Sequence, residues 1–236
     1  MNSILTNKKI LITAGPTREA IDPVRYVSNH SSGKMGYAIA ENFLSQGAEV
    51  ILISGPVSIG LDHPKLTLVN VNTALEMDLA CCRFYEQIDV AIFAAAVADY
   101  RPESVSDHKI KKDSSSFTIK MVKNVDIAYE FGKVKSAKQL YIGFALETND
   151  ELKHAIGKLN KKNFDMVVLN SMNDEQAGFG YDTNKISVIK KDLTQTDYPL
   201  KNKALVATDI VQEVTGLILQ QQQDYFNRAL LIGMTA

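Results

Sequence analysis

The chain has 236 residues, 45% of them hydrophobic, and a formal net charge of −1 at pH 7. At about 150 residues per domain, that length fits one large domain, or one with an appendage. The near-neutral balance gives no electrostatic support for nucleic-acid or membrane-surface partners.

No apolar run reaches the about 20 residues that span a bilayer. The start Met1-Asn2-Ser3-Ile4-Leu5-Thr6 has no basic region followed by a long apolar core, so no signal peptide is expected. Cys81 and Cys82 are adjacent, which suits reduced thiols and a cytoplasmic location. With four scattered histidines they give no metal-ligand spacing.

In chain order, Lys9 to Thr13 reads as a strand, followed by the turn Ala14-Gly15-Pro16-Thr17. A long polar loop, Arg25 to Gly36, leads into a helix over Lys34 to Gln46, with Met35, Ile39, Phe43 and Leu44 on one face and Gly47 at its end. Glu49 to Ile53 is a second buried strand, closed by Gly55-Pro56. Thr73 to Gln87 reads as a helix with Leu75, Leu79 and Cys82 inward, and Val90 to Ala94 as a third strand. Ser104 to Ser116 is polar and lysine-rich, which predicts a mobile loop. Asn124 and Asp126 suit the cap of a helix running through Ile127 and Phe131.

Tyr141 to Ala145 and Met166 to Leu169 are the next strands, with a helix over Asp150 to Lys162 between them. A glycine-rich loop, Gln176 to Tyr181, precedes an alternating strand, Lys185 to Lys190, which Asp192-Leu193-Thr194 turns into a partner. Lys203 to Gln222 reads as a closing helix with Leu205, Ile210, Val214, Leu217 and Ile218 available for burial. The tail beyond it has no assignment. Short apolar strands alternating with amphipathic helices give an α/β fold, a mostly parallel sheet covered on both faces. In such sheets ligands collect at the carboxyl ends of strands.

Five clusters fall at those ends. Gly15-Pro16-Thr17-Arg18, with Asp22, follows the first strand; glycine admits a ligand to the backbone and Thr17 can donate to phosphate, although an ordinary turn is the simpler reading of four residues. Arg25-Tyr26-Val27-Ser28-Asn29-His30-Ser31-Ser32-Gly33-Lys34 gathers cations, amides and hydroxyls before a helix N-terminus, an anion-binding position. It lacks the spacing of a P-loop, and Ser31 or Ser32 also suits a helix cap. Ala94-Ala95-Ala96-Val97-Ala98-Asp99 leaves room for a planar group against the backbone; tight helix-sheet packing accounts for those small residues equally well.

Lys109-Ile110-Lys111-Lys112 puts lysines on the flexible segment, where one can neutralise charge growing in a transition state, or be merely solvated together with Lys120 and Lys123. Phe144 ends a strand, and Lys158 and Lys162 share a helical face, as a surface pair or as a clamp on phosphates. The inventory suits binding phosphates and stabilising charge more than nucleophilic attack by the protein.

Ile12 to Glu19, Asp22 to Gly36, Ala95 to Tyr100 and Lys109 to Lys112 closely resemble bacterial phosphopantothenate–cysteine ligase, and the resemblance runs from about Lys8 to the closing helix. It implies a Rossmann-like fold in one ligase domain over residues 1–236, with a small C-terminal β appendage at about 171–200 used in a homodimer. It also implies activation of 4′-phosphopantothenate by CTP and Mg²⁺ to an acyl-cytidylate, then attack by L-cysteine in coenzyme A biosynthesis. Because the pattern begins near Met1, the chain looks like a stand-alone ligase, with any decarboxylase separate.

Carried over by position, Asn29 and Lys109 are the catalytic residues, and Arg25, Asn29 and Ala96 meet phosphopantothenate. Gly15, Ser32, Gly33, Ala94, Ala95, Asp99, Lys109, Val125, Asp126, Ile127, Ala128, Phe144, Lys158 and Lys162 meet the nucleotide. The resemblance assigns no metal ligands. Phe93 and Val125 depart from the family, which often has glycine and proline there. An NAD(P)-dependent reductase on the same fold is the alternative. It would need Gly-x-Gly-x-x-Gly in the first turn and an acidic end to the second strand, where Ser54-Gly55 stands.

Overall fold

The apolar run Lys9-Ile-Leu-Ile-Thr-Ala14 becomes β1 (Lys9–Ala14), buried on both faces as a continuous hydrophobic strand must be. The computed structural model describes residues 3–111, 115–147, 149–171 and 181–233. Lys112 and the expected glycine-rich loop, apart from Tyr181, lie outside them.

After β1 come a hairpin of β2 (Arg18–Asp22) and β3 (Arg25–Ser28), then α1 (Lys34–Ser45), β4 (Glu49–Ser54), β5 (Leu66–Asn70) and α2 (Ala74–Cys82). Then come β6 (Val90–Phe93), a hairpin of β7 (Tyr100–Pro102) and β8 (Met121–Lys123), and α3 (Ile127–Val134). The chain continues through β9 (Leu140–Glu147), α4 (Glu151–Lys161), β10 (Met166–Ser171), β11 (Thr183–Lys190), β12 (Gln195–Asn202) and α5 (Lys203–Gly233).

Eight strands form one sheet in the order β12-β11-β10-β9-β6-β1-β4-β5. The run from β10 to β5 is parallel, while β11 and β12 extend it antiparallel. The C-terminal β segment therefore continues the main sheet, and β12 is its edge. Side chains alternate between faces, so Ile10 and Ile12 enter a core with α1 and α5, while Leu11 enters one with α2, α3 and α4. This is the Rossmann-like α/β layering expected from the sequence.

Four expectations change. The inward face of α2 is Ala74, Met77, Ala80 and Cys81; Leu75 and Leu79 are 59% and 52% exposed, and Cys82 is exposed. A capping box sets this frame. Thr73 accepts from the Glu76 N–H at 3.1 Å, and Glu76 accepts from the Thr73 N–H at 3.3 Å. The Ala74 N–H also donates to the buried Glu19 carboxylate at 2.9 Å. These bonds rotate the apolar stripe one residue from the expected one.

In α5, Leu205 faces water, while Val206, Ala207, Ile210, Val211, Val214 and Ile218 are buried. The unassigned tail continues this helix to Gly233. Residues 104–111 are tied down by polar bonds rather than apolar anchors: the Ser106 N–H donates to the Ile21 carbonyl at 3.0 Å and the Ile110 N–H to Asp22 at 3.1 Å. The long polar loop after β1 contains the β2–β3 hairpin, whose Asp22 side chain closes the turn by accepting from the Val24 and Arg25 N–H groups.

Candidate active site

The carboxyl ends of β1, β6 and β9 open onto a cleft lined by Thr13, Phe93, the stretch from Ala95 to Asp99, the stretch from Asn124 to Ala128, Phe144, Lys158, Lys162 and Phe164. Its aromatic floor forms because Gly143 has no side chain: a Cβ there would stand 1.9 Å from the Phe164 ring. Phe93 lies 5.9 Å from Phe164, 5.8 Å from Phe131 and 5.7 Å from Tyr141 between ring centroids. The edge-on pairs among them favour a rigid floor.

The wall from Ala95 to Ala98 is held from behind. The Ala95 N–H donates to the Thr13 hydroxyl at 3.3 Å, the Ala96 N–H to the Gly15 carbonyl at 2.9 Å and the Ala98 N–H to the Thr17 hydroxyl at 3.0 Å. Thr17 is fully buried, so it braces this wall and is not the expected phosphate donor. From the other side Asn124 donates to the Ala98 carbonyl at 2.8 Å, so it braces the wall while Asp126 alone caps α3.

Of the expected nucleotide positions, Ala95, Asp99, Val125, Asp126, Ile127, Ala128, Phe144, Lys158 and Lys162 line this one cleft, as does the expected substrate contact Ala96. Ala94 packs against the core behind it. Gly15 and Gly33 adjoin each other at φ of 76° and 77°, where a Cβ on Gly33 would stand 3.4 Å from Gly15 and 2.7 Å from Val57. Glycine is required there for both conformation and space. Gly33 also starts α1 without a side-chain cap, so neither Ser31 nor Ser32 caps it; Ser31 instead accepts from the Gly33 N–H at 3.3 Å.

The charged groups are mostly paired. Lys158 meets Glu147 at 2.7 Å, with His154 3.4 Å from the other Glu147 oxygen. Lys162 meets Asp126 at 2.8 Å. Lys34 is bound to Asp182, whose carboxyl is held below the ordinary range by that lysine. Lys120 pairs with Glu103 at 2.7 Å. Of the expected site residues, the exposed Asp99 and Lys109 are charged side chains without a hydrogen bond or ion pair among the described residues.

Asn29 joins the polar loop to the cleft wall by donating to the Ala96 and Val97 carbonyls at 2.9 and 3.2 Å. Arg25 is bound by Asp22 and donates to the Ile110 carbonyl at 2.9 Å, so part of its guanidinium is already used. Sequence reasoning gave no role to Glu147 or Asp22. Their signal was a carboxylate at a strand end, in motifs where lysine and asparagine draw the eye. In the reductase alternative an acidic residue ends the second parallel strand; here Ser54 is buried and accepts from the Tyr37 hydroxyl at 3.0 Å.

Among known families, the DNA/pantothenate metabolism flavoprotein C-terminal domain (DFP) matches residues 5–217. The coenzyme A biosynthesis bifunctional protein CoaBC of Bacillus subtilis (strain 168) is 45% identical over 218 residues, 92% of this chain and 53% of that protein. A protein from an unknown prokaryotic organism, named cysteine/cysteine sulfinic acid decarboxylase, is 45% identical over 214 residues, 91% of this chain and 60% of that protein. The chain thus spans little more than half the length of these relatives. The crystal structure of the C-terminal domain of CoaBC superposes with a TM-score of 0.78 at 42% identity, covering 92% of this chain and 98% of that one.

Proposed function

The chain belongs to the family of DNA/pantothenate metabolism flavoprotein C-terminal domains, and from that premise we propose that it is a phosphopantothenate–cysteine ligase of coenzyme A biosynthesis that uses CTP. The carboxylate oxygen of 4′-phosphopantothenate attacks the α-phosphorus of CTP, and the bond to pyrophosphate breaks. The L-cysteine amine then attacks the acyl carbon of the acyl-cytidylate, CMP leaves with the bonding electrons, and the amine loses a proton.

One observation carries this reading: Asn29, Asp99, Lys158 and Lys162 meet at a single cleft of small residues at the strand ends. In it the cytidine lies against Ala95, with Phe144 and the segment from Val125 to Ala128 around it, and Ala96 meets phosphopantothenate beside Asn29. Lys158 and Lys162 attract the phosphates, and the backbone at Gly15, Ser32 and Gly33 admits them closely. Lys109, its ammonium free, serves the first step by balancing charge on the triphosphate. Arg25 contributes its uncommitted N–H groups to phosphopantothenate. Asp99 fits a magnesium ion, which favours one or two carboxylates plus phosphate oxygens. Such an ion would offset the triphosphate's charge against the Glu147, Asp126 and Asp99 carboxylates.

We read the chain as a cytoplasmic ligase domain that works as a homodimer joined along its C-terminal strands. Sedimentation as a monomer across micromolar concentrations would remove the dimer from this reading.

The test of the reaction is release of pyrophosphate and CMP from CTP, 4′-phosphopantothenate and cysteine. Release of both, with pyrophosphate alone when cysteine is omitted, is the expected result. Lys109→Gln should lower pyrophosphate release by about 10²–10³, by analogy with losing one preorganised donor. No CTP consumption by the wild type would overturn the function, and wild-type release by Lys109→Gln would overturn the role of the lysine.

A further inference from the structure

Asp22 is a fully buried carboxylate with more donors than its hairpin needs. Oδ1 alone closes the β2–β3 turn, accepting from the Val24 and Arg25 N–H groups at 2.9 Å each. Oδ2 points elsewhere. It accepts from Arg25 Nε at 2.9 Å, from Arg25 Nη2, and from the Ile110 N–H at 3.1 Å. Arg25 Nη2 in turn donates to the Ile110 carbonyl at 2.9 Å. Both polar groups of one peptide residue are therefore gripped by a charge pair lying more than eighty positions earlier in the chain.

A buried charge needs such compensation, and a guanidinium on a carboxylate is the stronger kind of hydrogen bond. A lone polar loop has no use for that expense. Its neighbour does: Lys109 precedes the gripped residue, and its own side chain has no partner among the described residues. The second attachment, from the Ser106 N–H to the Ile21 carbonyl at 3.0 Å, lies on the same hairpin, so residues 106–110 are pinned at both ends.

We propose that Asp22 and Arg25 form a latch on the Ile110 peptide that sets the position of Lys109. Asp22 is then a positioning residue for the activation step. This rests on the role given above to Lys109. Arg25 becomes a joint between the two substrates' machinery: one edge of its guanidinium holds the lysine segment, and the remaining N–H groups are left for an anion.

Asp22→Asn separates turn from latch. The amide keeps one oxygen for the turn, but replaces the other with N–H groups that oppose the Ile110 N–H and no longer attract Arg25. Three readouts decide. Trypsin nicking of the folded protein at Lys109 and Lys111 should quicken about tenfold, since the segment loses its anchor. In pyrophosphate release without cysteine, kcat should fall about tenfold while the KM for CTP stays within about twofold, the pattern of a misplaced catalytic group. In a Lys109→Gln background the same substitution should lower kcat by less than about twofold further, because it acts through that lysine.

Wild-type nicking together with wild-type kcat would overturn the latch, as would a full additional loss in the Lys109→Gln background. If Lys109→Gln itself releases pyrophosphate normally, the role of Lys109 has failed instead, and the nicking rate at Lys111 alone decides whether the latch exists. Should Asp22→Asn not fold, Ile110→Pro removes the gripped N–H while sparing Asp22 and Arg25; trypsin does not cut the Lys109–Pro bond so created, so nicking is then read at Lys111, and the two kinetic readouts apply unchanged.

Discussion

Asn29 is tied to Ala96: its side-chain Nδ2 donates to the Ala96 carbonyl at 2.9 Å, and to that of Val97 at 3.2 Å. Both amide protons are engaged with the cleft wall, so the group Asn29 has left for a ligand is its oxygen. An Asn29→Asp carboxylate would face two carbonyl oxygens with nothing to donate, and the loop would part from the wall. We expect Asn29→Asp to keep pyrophosphate release but lose the cysteine-dependent step, since the fault lies where the acyl group is held. The position is exposed and the two lost bonds lie at the surface, so stability should fall by about 1–2 kcal/mol and the protein should stay folded. Separate assays of pyrophosphate and of phosphopantothenoylcysteine check this, and normal product formation would refute it.

Much of the frame could be read from the chain because its central strands are short, continuous apolar runs, such as those holding Leu11 and Ile12 or Val167 and Val168, too short for buried helices and rich in β-branched residues. The cleft's composition was legible for the same reason: residues after apolar runs stand at strand ends. What was not legible came from partners far apart. The grip of Asp22 on Ile110 spans 88 positions, and no local pattern announces it. The face of α2 was misread because Leu75 and Leu79 outweigh Ala74 and Ala80 in hydrophobicity, while a cap and the Glu19 carboxylate fix the rotation. β5 escaped because an edge strand with Thr67 and Leu68 exposed shows neither a continuous run nor a clean alternation.

The Arg25 guanidinium bonded to Asp22, helped by the Val24 and Ile110 N–H groups, holds its carboxyl well below the usual carboxylate range despite burial. The pKa is thus lower folded than the about 3.9 of an unfolded Asp. Its contribution to stability is complete above that unfolded value and is lost as pH falls from there toward the folded one. The gap in urea midpoint between wild type and Asp22→Asn should therefore stay constant from about pH 8 to pH 5 and narrow below about pH 4. A gap that closes between neutrality and pH 5 would show that another group controls it.

The two cysteines should behave as unlike thiols. Cys81 is buried and its pKa is pushed strongly upward, chiefly by desolvation; Cys82 is exposed, and its pKa is raised by partial burial and by Asp78. Thiolate is the reactive form, so both are sluggish and Cys81 is also shielded. A disulfide-exchange reagent should modify one thiol slowly in the folded protein and two in denaturant. Rapid modification of both in the folded protein would contradict the observed packing of α2.

The last prediction separates structure from binding at Lys158. Its ammonium lies 2.7 Å from Glu147, whose side chain is 14% exposed at the end of β9, with His154 3.4 Å away on the other oxygen. Lys158 lines the cleft, whereas Glu147 is not among its lining residues. Lys158→Met therefore does two things: it strands a largely buried carboxylate, and it takes one cation from the phosphates. The first should lower stability by about 1–3 kcal/mol, the cost of leaving a largely buried polar group without its partner. Adding Glu147→Gln removes the stranded charge and should recover most of that stability. It returns no cation to the cleft, so the KM for CTP should stay raised about tenfold in both variants. Thermal melts and CTP titrations of the two variants and of Glu147→Gln alone test this together. If the double variant recovers both the melting temperature and the KM, Lys158 serves only to neutralise Glu147, and the phosphates depend on Lys162 and Lys109.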